Sequence, residues 1–105
     1  MLYILNTSVL TSYGEYKYEK TNLETVKKLL EDNEFGSAIG HQAVATLLTR
    51  LTGVNVPVNR INYSQKEGDV VIVFKLKKRP SEGQILTIEE MEKIGYEFGL
   101  LEKIK

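Results

Sequence analysis

The chain has 105 residues, of which 42% are hydrophobic and 27% charged, the usual size of one domain with a single core. Fourteen Lys and Arg balance fourteen Asp and Glu, so no overall positive field indicates a nucleic-acid partner, and any anion site must come from local placement of charge. The absence of Cys and the single His exclude disulfides, thiolate nucleophiles, Cys-ligated zinc and a two-histidine metal site within one chain. We therefore expect one domain over residues 1–105.

The N-terminal segment MLYILNTSVL lacks a basic start and carries polar residues early. No apolar run approaches the roughly 18 residues that a membrane span needs. We therefore expect a soluble cytoplasmic protein that does not act at a membrane.

Two strands and a helix are predicted in the first third of the chain. LYILN at residues 2–6 is short and apolar, and EYKYEK at residues 15–20 alternates tyrosines with charges, as a half-buried strand does. The tetrapeptide TNLE at residues 21–24 is a capping-box pattern that precedes helical spacing of apolar residues. It predicts a first helix over about 22–32.

A second helix is predicted from a cap at Ser37 to a stop at Gly53. Its apolar residues follow the spacing i, i+3, i+4, i+7: Val44, Leu47, Leu48 and Leu51. His41 stands three residues before the first of these and so lies at the top of the stripe.

A β-hairpin is predicted next. Residues 60–65 and 70–77 are rich in β-forming side chains, and the turn residues Glu-Gly-Asp stand between them. One face of the second strand is expected to be core: Val70, Ile72, Phe74 and Leu76.

The last third of the chain is predicted to hold a loop, a helix and a strand. Proline and glycine mark a loop over residues 79–83, and the capping box TIEE at 87–90 begins a helix that ends at Gly95. A strand follows over 96–104. The predicted order is ββααββαβ, an α/β domain with a mixed sheet of about five strands flanked by three helices.

The periodicity of the chain does not explain five polar residues: Asn6, His41, Arg60, Arg79 and Glu82. Arg60 and Arg79 bracket the predicted hairpin, and antiparallel pairing would bring both to one edge of the sheet. A guanidinium suits phosphate oxygens, and a helix N-terminus at Gly40-His41 would add free backbone N–H groups. The pattern predicts an anion site but no particular reaction.

Each of these residues also has an ordinary structural explanation. A lone His near a helix start is often a partly exposed polar residue. Arg79 is also typical of a solvated loop charge, with Glu82 as its ion-pair partner. Spacing alone leaves both interpretations in place.

Four segments together resemble the viral anti-CRISPR ring nuclease family: LYILN (2–6), SAIGHQAVATLL (37–48), GVNVPVNR (53–60) and KKRPSEG (77–83). Proteins of that family occur in archaeal viruses, bacteriophages and prophages, and they cleave cyclic tetra-adenylate, the second messenger of type III CRISPR defence. The resemblance covers nearly the whole chain. It implies a homodimer that binds one cyclic tetra-adenylate across its two subunits in the cytoplasm of the host cell.

The resemblance also assigns site residues. It implies that His41 is the essential histidine, and that Arg60 and Arg79 contact phosphate. Glu82 corresponds to the acidic residue of the last motif, and Asn6 to the asparagine after the first strand. The backbone at Gly40 would assist in binding. Two positions depart from the family pattern: Lys75 stands where a relative has a ligand-contacting glutamine, and Ser8 or Thr7 would replace the contacts after Asn6.

The mechanism that the resemblance implies needs no metal, no cofactor and no water. The ribose 2′-OH attacks the adjacent phosphorus, the 5′-oxygen leaves, and a 2′,3′-cyclic phosphate remains. An imidazole, which ordinarily titrates near ~6.5, can protonate the leaving oxygen as a general acid; this role falls to His41. Glu82 would orient either His41 or the 2′-OH. Two alternatives stay open: a protein that binds the ring without cutting it, and a viral DNA-binding regulator, which the neutral charge and the absence of a basic recognition helix disfavour.

Overall fold

Five strands and three helices make up the described part of the chain. The computed structural model describes residues 2–6, 10, 12–77 and 87–105. The elements in chain order are β1 (Leu2–Leu5), β2 (Tyr16–Thr21), α1 (Leu23–Asp32), β3 (Phe35–Ser37), α2 (Gln42–Thr52), β4 (Val70–Leu76), α3 (Ile88–Ile94) and β5 (Tyr96–Lys103). The predicted α/β class, with a five-stranded mixed sheet and three helices, is confirmed. The predicted order ββααββαβ is wrong: the order is ββαβαβαβ.

Three neighbouring strands of the sheet are parallel and end at the same edge. Its strand order is β2-β5-β4-β1-β3. β1 lies between β3 and β4 and runs parallel to both, with Ile4 opposite Ser37 on one side and Ile72 on the other. β5 is antiparallel to β4 and to β2. The carboxyl ends of β1, β3 and β4 therefore meet at the same edge of the sheet, the carboxyl edge, where α/β proteins commonly bind ligands.

Both faces of the sheet are covered, and the larger part of the core lies under the helices. That core contains the buried side chains of Ile4, Val26, Leu47, Leu48, Ile72 and Phe74. The opposite face carries a smaller cluster formed by Leu5, Val71, Val73 and Leu101. Because both faces are covered, four consecutive residues of β4, from Val71 to Phe74, are buried. The predicted core face of β4 contained Ile72 and Phe74, but Val71 and Val73 on its other face are buried as well.

The predicted strand at residues 60–65 does not form, and the hairpin prediction is wrong. Both edges of β4 are already paired, with β1 and with β5. Residues 60–65 instead run as irregular chain, and Tyr63 packs against the smaller cluster. The Tyr63 ring lies on the Tyr3 ring with 4.1 Å between centroids. The predicted turn is present, because the N–H of Asp69 donates to the carbonyl of Lys66 at 2.9 Å.

The buried Gln65 takes the place of a strand's backbone hydrogen bonds. Its Nε2 donates to the carbonyl oxygens of Asp69 and Leu101, each at 2.9 Å. The side chain is 2% exposed, so these bonds are made away from water, where an unpaired polar group is costly. A β-rich sequence is thereby held against the sheet without joining it.

Helix α3 begins as its sequence predicts, but the capping box predicted at 21–24 does not form, because Thr21 pairs with Phe98 as the last residue of β2 and Asn22 becomes the cap of α1. The Asn22 side chain accepts a hydrogen bond from the N–H of Thr25 at 2.8 Å and caps α1. Thr87 and Glu90 form a reciprocal capping box at the start of α3. The predicted cap of α2 at Ser37 is wrong: Ser37 ends β3, and the N-cap residue of α2 is His41. No helix in the described residues is long and apolar enough to cross a membrane.

Candidate active site

The chain turns from β3 into α2 at the carboxyl edge of the sheet. The N–H of Ala38 donates to the carbonyl of Ile4 at 3.0 Å, which continues the β1–β3 pairing one residue beyond Ser37. Ile39 is fully buried, and the chain then reaches Gly40 and His41 at the surface. Asn6 follows directly after β1 at the same edge and is half-buried.

His41 begins α2 but does not cap it with its side chain. Its backbone is extended, with φ −124° and ψ 127°, and its side chain makes no capping hydrogen bond. Its carbonyl accepts the first helical hydrogen bond, from the N–H of Ala45 at 3.0 Å. The exposed imidazole is therefore not used to hold the helix, and the first N–H groups of α2 receive no side-chain cap. The first turn also contains no acidic residue, so this helix end favours an anion.

Arg60 adds a guanidinium to this helix end. Its Nε–H donates to the carbonyl oxygen of Gly40 at 2.9 Å, so the arginine is attached to the residue that precedes His41. Within the described ranges this carbonyl is the only hydrogen-bond partner of the Arg60 side chain. The two terminal amino groups of the guanidinium remain for a ligand, and a guanidinium fork suits two oxygens of a phosphate.

A short pairing between two loops, and not the predicted hairpin, brings Arg60 to His41. Val58 forms an isolated parallel bridge with Ile39. The N–H of Asn59 donates to the carbonyl of Ile39 at 2.9 Å. Arg60 therefore lies next to Gly40-His41, as predicted. The hairpin from which this was predicted does not form.

Three of the predicted site residues, Ser8, Arg79 and Glu82, lie outside the described residues. Lys77, the last described residue before the second and third of these, follows β4 at the carboxyl edge. Lys75 is exposed near the end of β4, opposite Glu97 of β5. Among the described residues, no group of three His, Asp or Glu side chains is arranged to hold a metal ion.

Among the described residues, the shifted pKa values belong to Tyr18 of β2 and to Tyr63 and Asp69 at the turn before β4, not to this site. Burial raises the pKa of Tyr63, and the hydrogen bond that its hydroxyl donates to the Asp69 carboxylate at 2.8 Å raises it further. Burial acts to raise the pKa of Asp69 too, but hydrogen bonds that include those from the Lys66 N–H and the Tyr63 hydroxyl outweigh it, so that pKa is lowered. These groups fix the turn that leads into β4.

Sequence reasoning missed the roles of Ser37 and Asn59. Ser37 Oγ donates to the carbonyl of Pro57 at 2.6 Å, and Asn59 Nδ2 donates to the carbonyl of Ser37 at 2.9 Å. Each lies in a quoted motif, but neither residue has a periodicity or a spacing that predicts its partner. Only the distance in space between the two loops reveals the pair.

Comparison with known protein families shows which family the chain belongs to. A family model described as STIV B116-like matches residues 2–98. The chain belongs to the STIV B116-like family. Small proteins of archaeal viruses are among its members.

Relatives of similar length occur in viruses and in a bacterium. The chain is 39% identical to Uncharacterized protein 26 of Sulfolobus islandicus filamentous virus (isolate Iceland/Hveragerdi), over 99% of this chain and 92% of the relative. It is 38% identical to Uncharacterized protein ORF117 of Acidianus two-tailed virus, over 100% and 95% of the two chains. It is 37% identical to Uncharacterized protein YddF of Bacillus subtilis (strain 168), over 95% and 94%.

A solved structure has the same fold. B116 of Sulfolobus turreted icosahedral virus matches with a TM-score of 0.72, over 96% of this chain and 97% of that chain. The two sequences are 22% identical, so this similarity concerns the fold alone.

Proposed function

We propose that this member of the STIV B116-like family is a metal-independent ring nuclease that cleaves cyclic tetra-adenylate and so ends type III CRISPR signalling. The enzyme would act in the cytoplasm of a host cell that carries the virus or prophage. One observation carries the proposal: the 2.9 Å hydrogen bond from Arg60 Nε–H to the Gly40 carbonyl sets a guanidinium beside the exposed His41. The motifs that resemble the anti-CRISPR ring nucleases include both of these residues.

The chemistry of this helix end suits a phosphodiester. The guanidinium and the free N–H groups at the start of α2 are donors for the non-bridging oxygens, and they stabilise the extra negative charge of a five-coordinate phosphorus. The net charge of the chain is zero, so the attraction for an anion comes from this local arrangement and not from the whole surface.

The substrate supplies its own nucleophile. The ribose 2′-oxygen forms a bond to the adjacent phosphorus and releases its proton to the solvent, and the bond from that phosphorus to the 5′-oxygen breaks. His41, when protonated, gives its proton to the leaving 5′-oxygen. The products are a 5′-OH and a 2′,3′-cyclic phosphate, with no water consumed. Two such cuts in one ring give two linear di-adenylates.

The remaining site residues follow from the family resemblance. Arg79 would share the phosphate charge with Arg60, and Glu82 would orient His41 or the 2′-OH. Asn6 and Ser8 would contact the ring. A ring with four phosphates exceeds one such helix end, so we propose a homodimer that offers two copies of His41 to a two-fold symmetric ligand.

Cleavage and binding assays in EDTA separate this function from the alternatives. The wild type and His41→Ala are incubated with labelled cyclic tetra-adenylate, and Arg50→Ala serves as a control because Arg50 is an exposed arginine at the other end of α2. Cleavage by the wild type and the control, and its loss in His41→Ala, supports the nuclease. Tight binding without cleavage by any variant supports a sequestering protein. Failure to bind the ring, with binding to duplex DNA instead, would favour the DNA-binding regulator.

A further inference from the structure

Two side chains tie the segment before Arg60 to the end of β3. We call residues 57–60 the strap. The hydroxyl of Ser37 donates to the carbonyl of Pro57 at 2.6 Å, at the first residue of the strap. The side-chain amide of Asn59 donates to the carbonyl of Ser37 at 2.9 Å. The Ser37 side chain thus bonds to the backbone of the strap, and the Asn59 side chain of the strap bonds to the backbone of Ser37.

Ser37 bonds to the strap from a buried position. Ser37 is 5% exposed, and its hydroxyl also accepts from the N–H of Ile39, at 3.3 Å. One side chain therefore satisfies a carbonyl of the strap and an N–H of the loop that leads to His41. Removing it would take a donor from the Pro57 carbonyl and an acceptor from the buried Ile39 N–H, and the loss at the buried group is the costly one.

Asn59 is an exposed residue whose side-chain hydrogen bond is only partly buried, and this makes its function easier to separate from folding. Asn59 has an exposed side chain and directly precedes Arg60. Its backbone N–H already binds the Ile39 carbonyl at 2.9 Å, so the amide side chain adds a second attachment at the same point. That backbone bond belongs to the isolated bridge between Ile39 and Val58, and the Arg60 Nε–H bond to the Gly40 carbonyl joins the strap to the same loop.

We propose that Ser37 and Asn59 are positioning residues, which hold the strap so that the Arg60 guanidinium stays on the Gly40 carbonyl beside His41. An arginine side chain has several rotatable bonds, and ordering it costs conformational entropy. A backbone fixed at the preceding residue reduces the volume that the guanidinium explores. The consequence for catalysis rests on the proposed function. In an active site, a displacement of about 1 Å at a reacting group can cost on the order of 100-fold in rate.

The structural half of the proposal is tested without any substrate. The chain has three arginines, so the Nε–H signals in a ¹⁵N spectrum are few and are assigned by Arg50→Lys and Arg60→Lys. We expect the Arg60 Nε–H to exchange with water at least about tenfold more slowly than that of Arg50, because it is hydrogen-bonded. Asn59→Ala should remove this protection, whereas Asn55→Ala, the same change at an exposed site earlier in the loop, should not. An Arg60 signal that exchanges like that of Arg50 in the wild type, or that is unchanged in Asn59→Ala, overturns the proposal.

The functional half is tested by coupling to Arg60. We expect Asn59→Ala to lower kcat/KM for cyclic tetra-adenylate by roughly 10- to 100-fold with little change in the thermal midpoint. The double variant Asn59→Ala/Arg60→Ala should be no slower than Arg60→Ala alone, within about twofold, since Asn59 acts through Arg60. Additive losses would mean that Asn59 acts by another route and would overturn the positioning role.

The two experiments distinguish two kinds of failure. If the wild type cleaves no ring but Asn59→Ala abolishes the protection of the Arg60 Nε–H, the proposed function fails and the positioning of the guanidinium stands. If the wild type cleaves the ring and Asn59→Ala does so at the same rate, the proposed function stands and the positioning role is wrong. Ser37→Ala should act in the same direction as Asn59→Ala but also lower the thermal midpoint, because its hydroxyl is buried.

Discussion

Arg60 Nε–H donates a hydrogen bond to the carbonyl oxygen of Gly40 at 2.9 Å. The two residues are 20 positions apart, and the bond joins the strap to the loop that carries His41. It leaves an exposed imidazole and an exposed guanidinium next to the start of α2, where the backbone N–H groups lack a side-chain cap. This is the arrangement that supports a phosphodiester as the ligand.

Arg60→Ala should weaken binding of cyclic tetra-adenylate by about 10- to 100-fold, because a charge-assisted hydrogen bond contributes about 1.5–3 kcal/mol. Arg50→Ala, which removes the same charge from the other end of α2, should leave the affinity within about threefold. Isothermal titration calorimetry with a variant that does not cut the ring measures both. Equal losses in the two variants would mean that net charge, and not this site, governs binding.

His41→Ser should stabilise the protein while it abolishes cleavage. α2 begins without a side-chain cap, and serine at an N-cap position supplies one worth about 1 kcal/mol. Thr87→Ala is the matched control, since Thr87 already caps α3 and its loss should cost about 1 kcal/mol. Urea unfolding measures the free energy of unfolding of each variant. A destabilised His41→Ser would show that the imidazole supports the helix in some other way.

Much of the fold is predictable from local sequence. The capping box at Thr87 marks the start of α3, the TNLE pattern marks the start of α1 although the cap is Asn22 and not Thr21, and β-forming residues mark β2 and β4. These signals work because each is satisfied by residues a few positions away. The helix ends at Gly53 and Gly95 are likewise read from single residues, since both adopt positive φ values, 72° and 91°.

The failures come from contacts between residues far apart in the sequence. β3 contains three residues, too few for any period, and it exists because it pairs with β1. Residues 60–65 have strand composition, but β4 already pairs with β1 and β5. The side chains of Tyr63 and Gln65 instead contact the sheet, at the Tyr3 ring and the Leu101 carbonyl. Sequence reasoning singled out His41 and Arg60, but the strap that joins them depends on Ser37 and Asn59.

Gly36→Ala should destabilise the protein more than Gly99→Ala. A Cβ at Gly36 would overlap the Tyr3 ring, and one at Gly99 would overlap the Tyr18 ring, each with the tyrosine Cζ at 2.8 Å. Tyr3 is held by its contact with Tyr63, at 4.1 Å between centroids, whereas Tyr18 is 51% exposed and can move away. Overpacking at Gly36 should therefore cost about 1–3 kcal/mol. Urea unfolding gives both values, and a larger loss in Gly99→Ala would contradict this packing.

The stabilisation that Asp69 gives the protein should be lost in acid. Its pKa is lowered in the folded state, because hydrogen bonds to the carboxylate outweigh the effect of its burial. The stabilisation is therefore present above the pKa of an unfolded Asp, about 3.9, and is lost as the pH falls through the lower folded value. Wild type should be more stable than Asp69→Asn at about pH 6, and the difference should shrink below about pH 4. A difference that is the same across this range would contradict the assignment.

The most direct test of the proposed function is the identity of the product ends. Wild-type protein is incubated with cyclic tetra-adenylate in EDTA, and the products are weighed by mass spectrometry beside those from His41→Ala. We predict linear di-adenylates that carry a 5′-OH and a 2′,3′-cyclic phosphate from the wild type, and an intact ring from the variant. An intact ring from the wild type, products with 5′-phosphate ends, or undiminished cleavage by His41→Ala would contradict the proposed function.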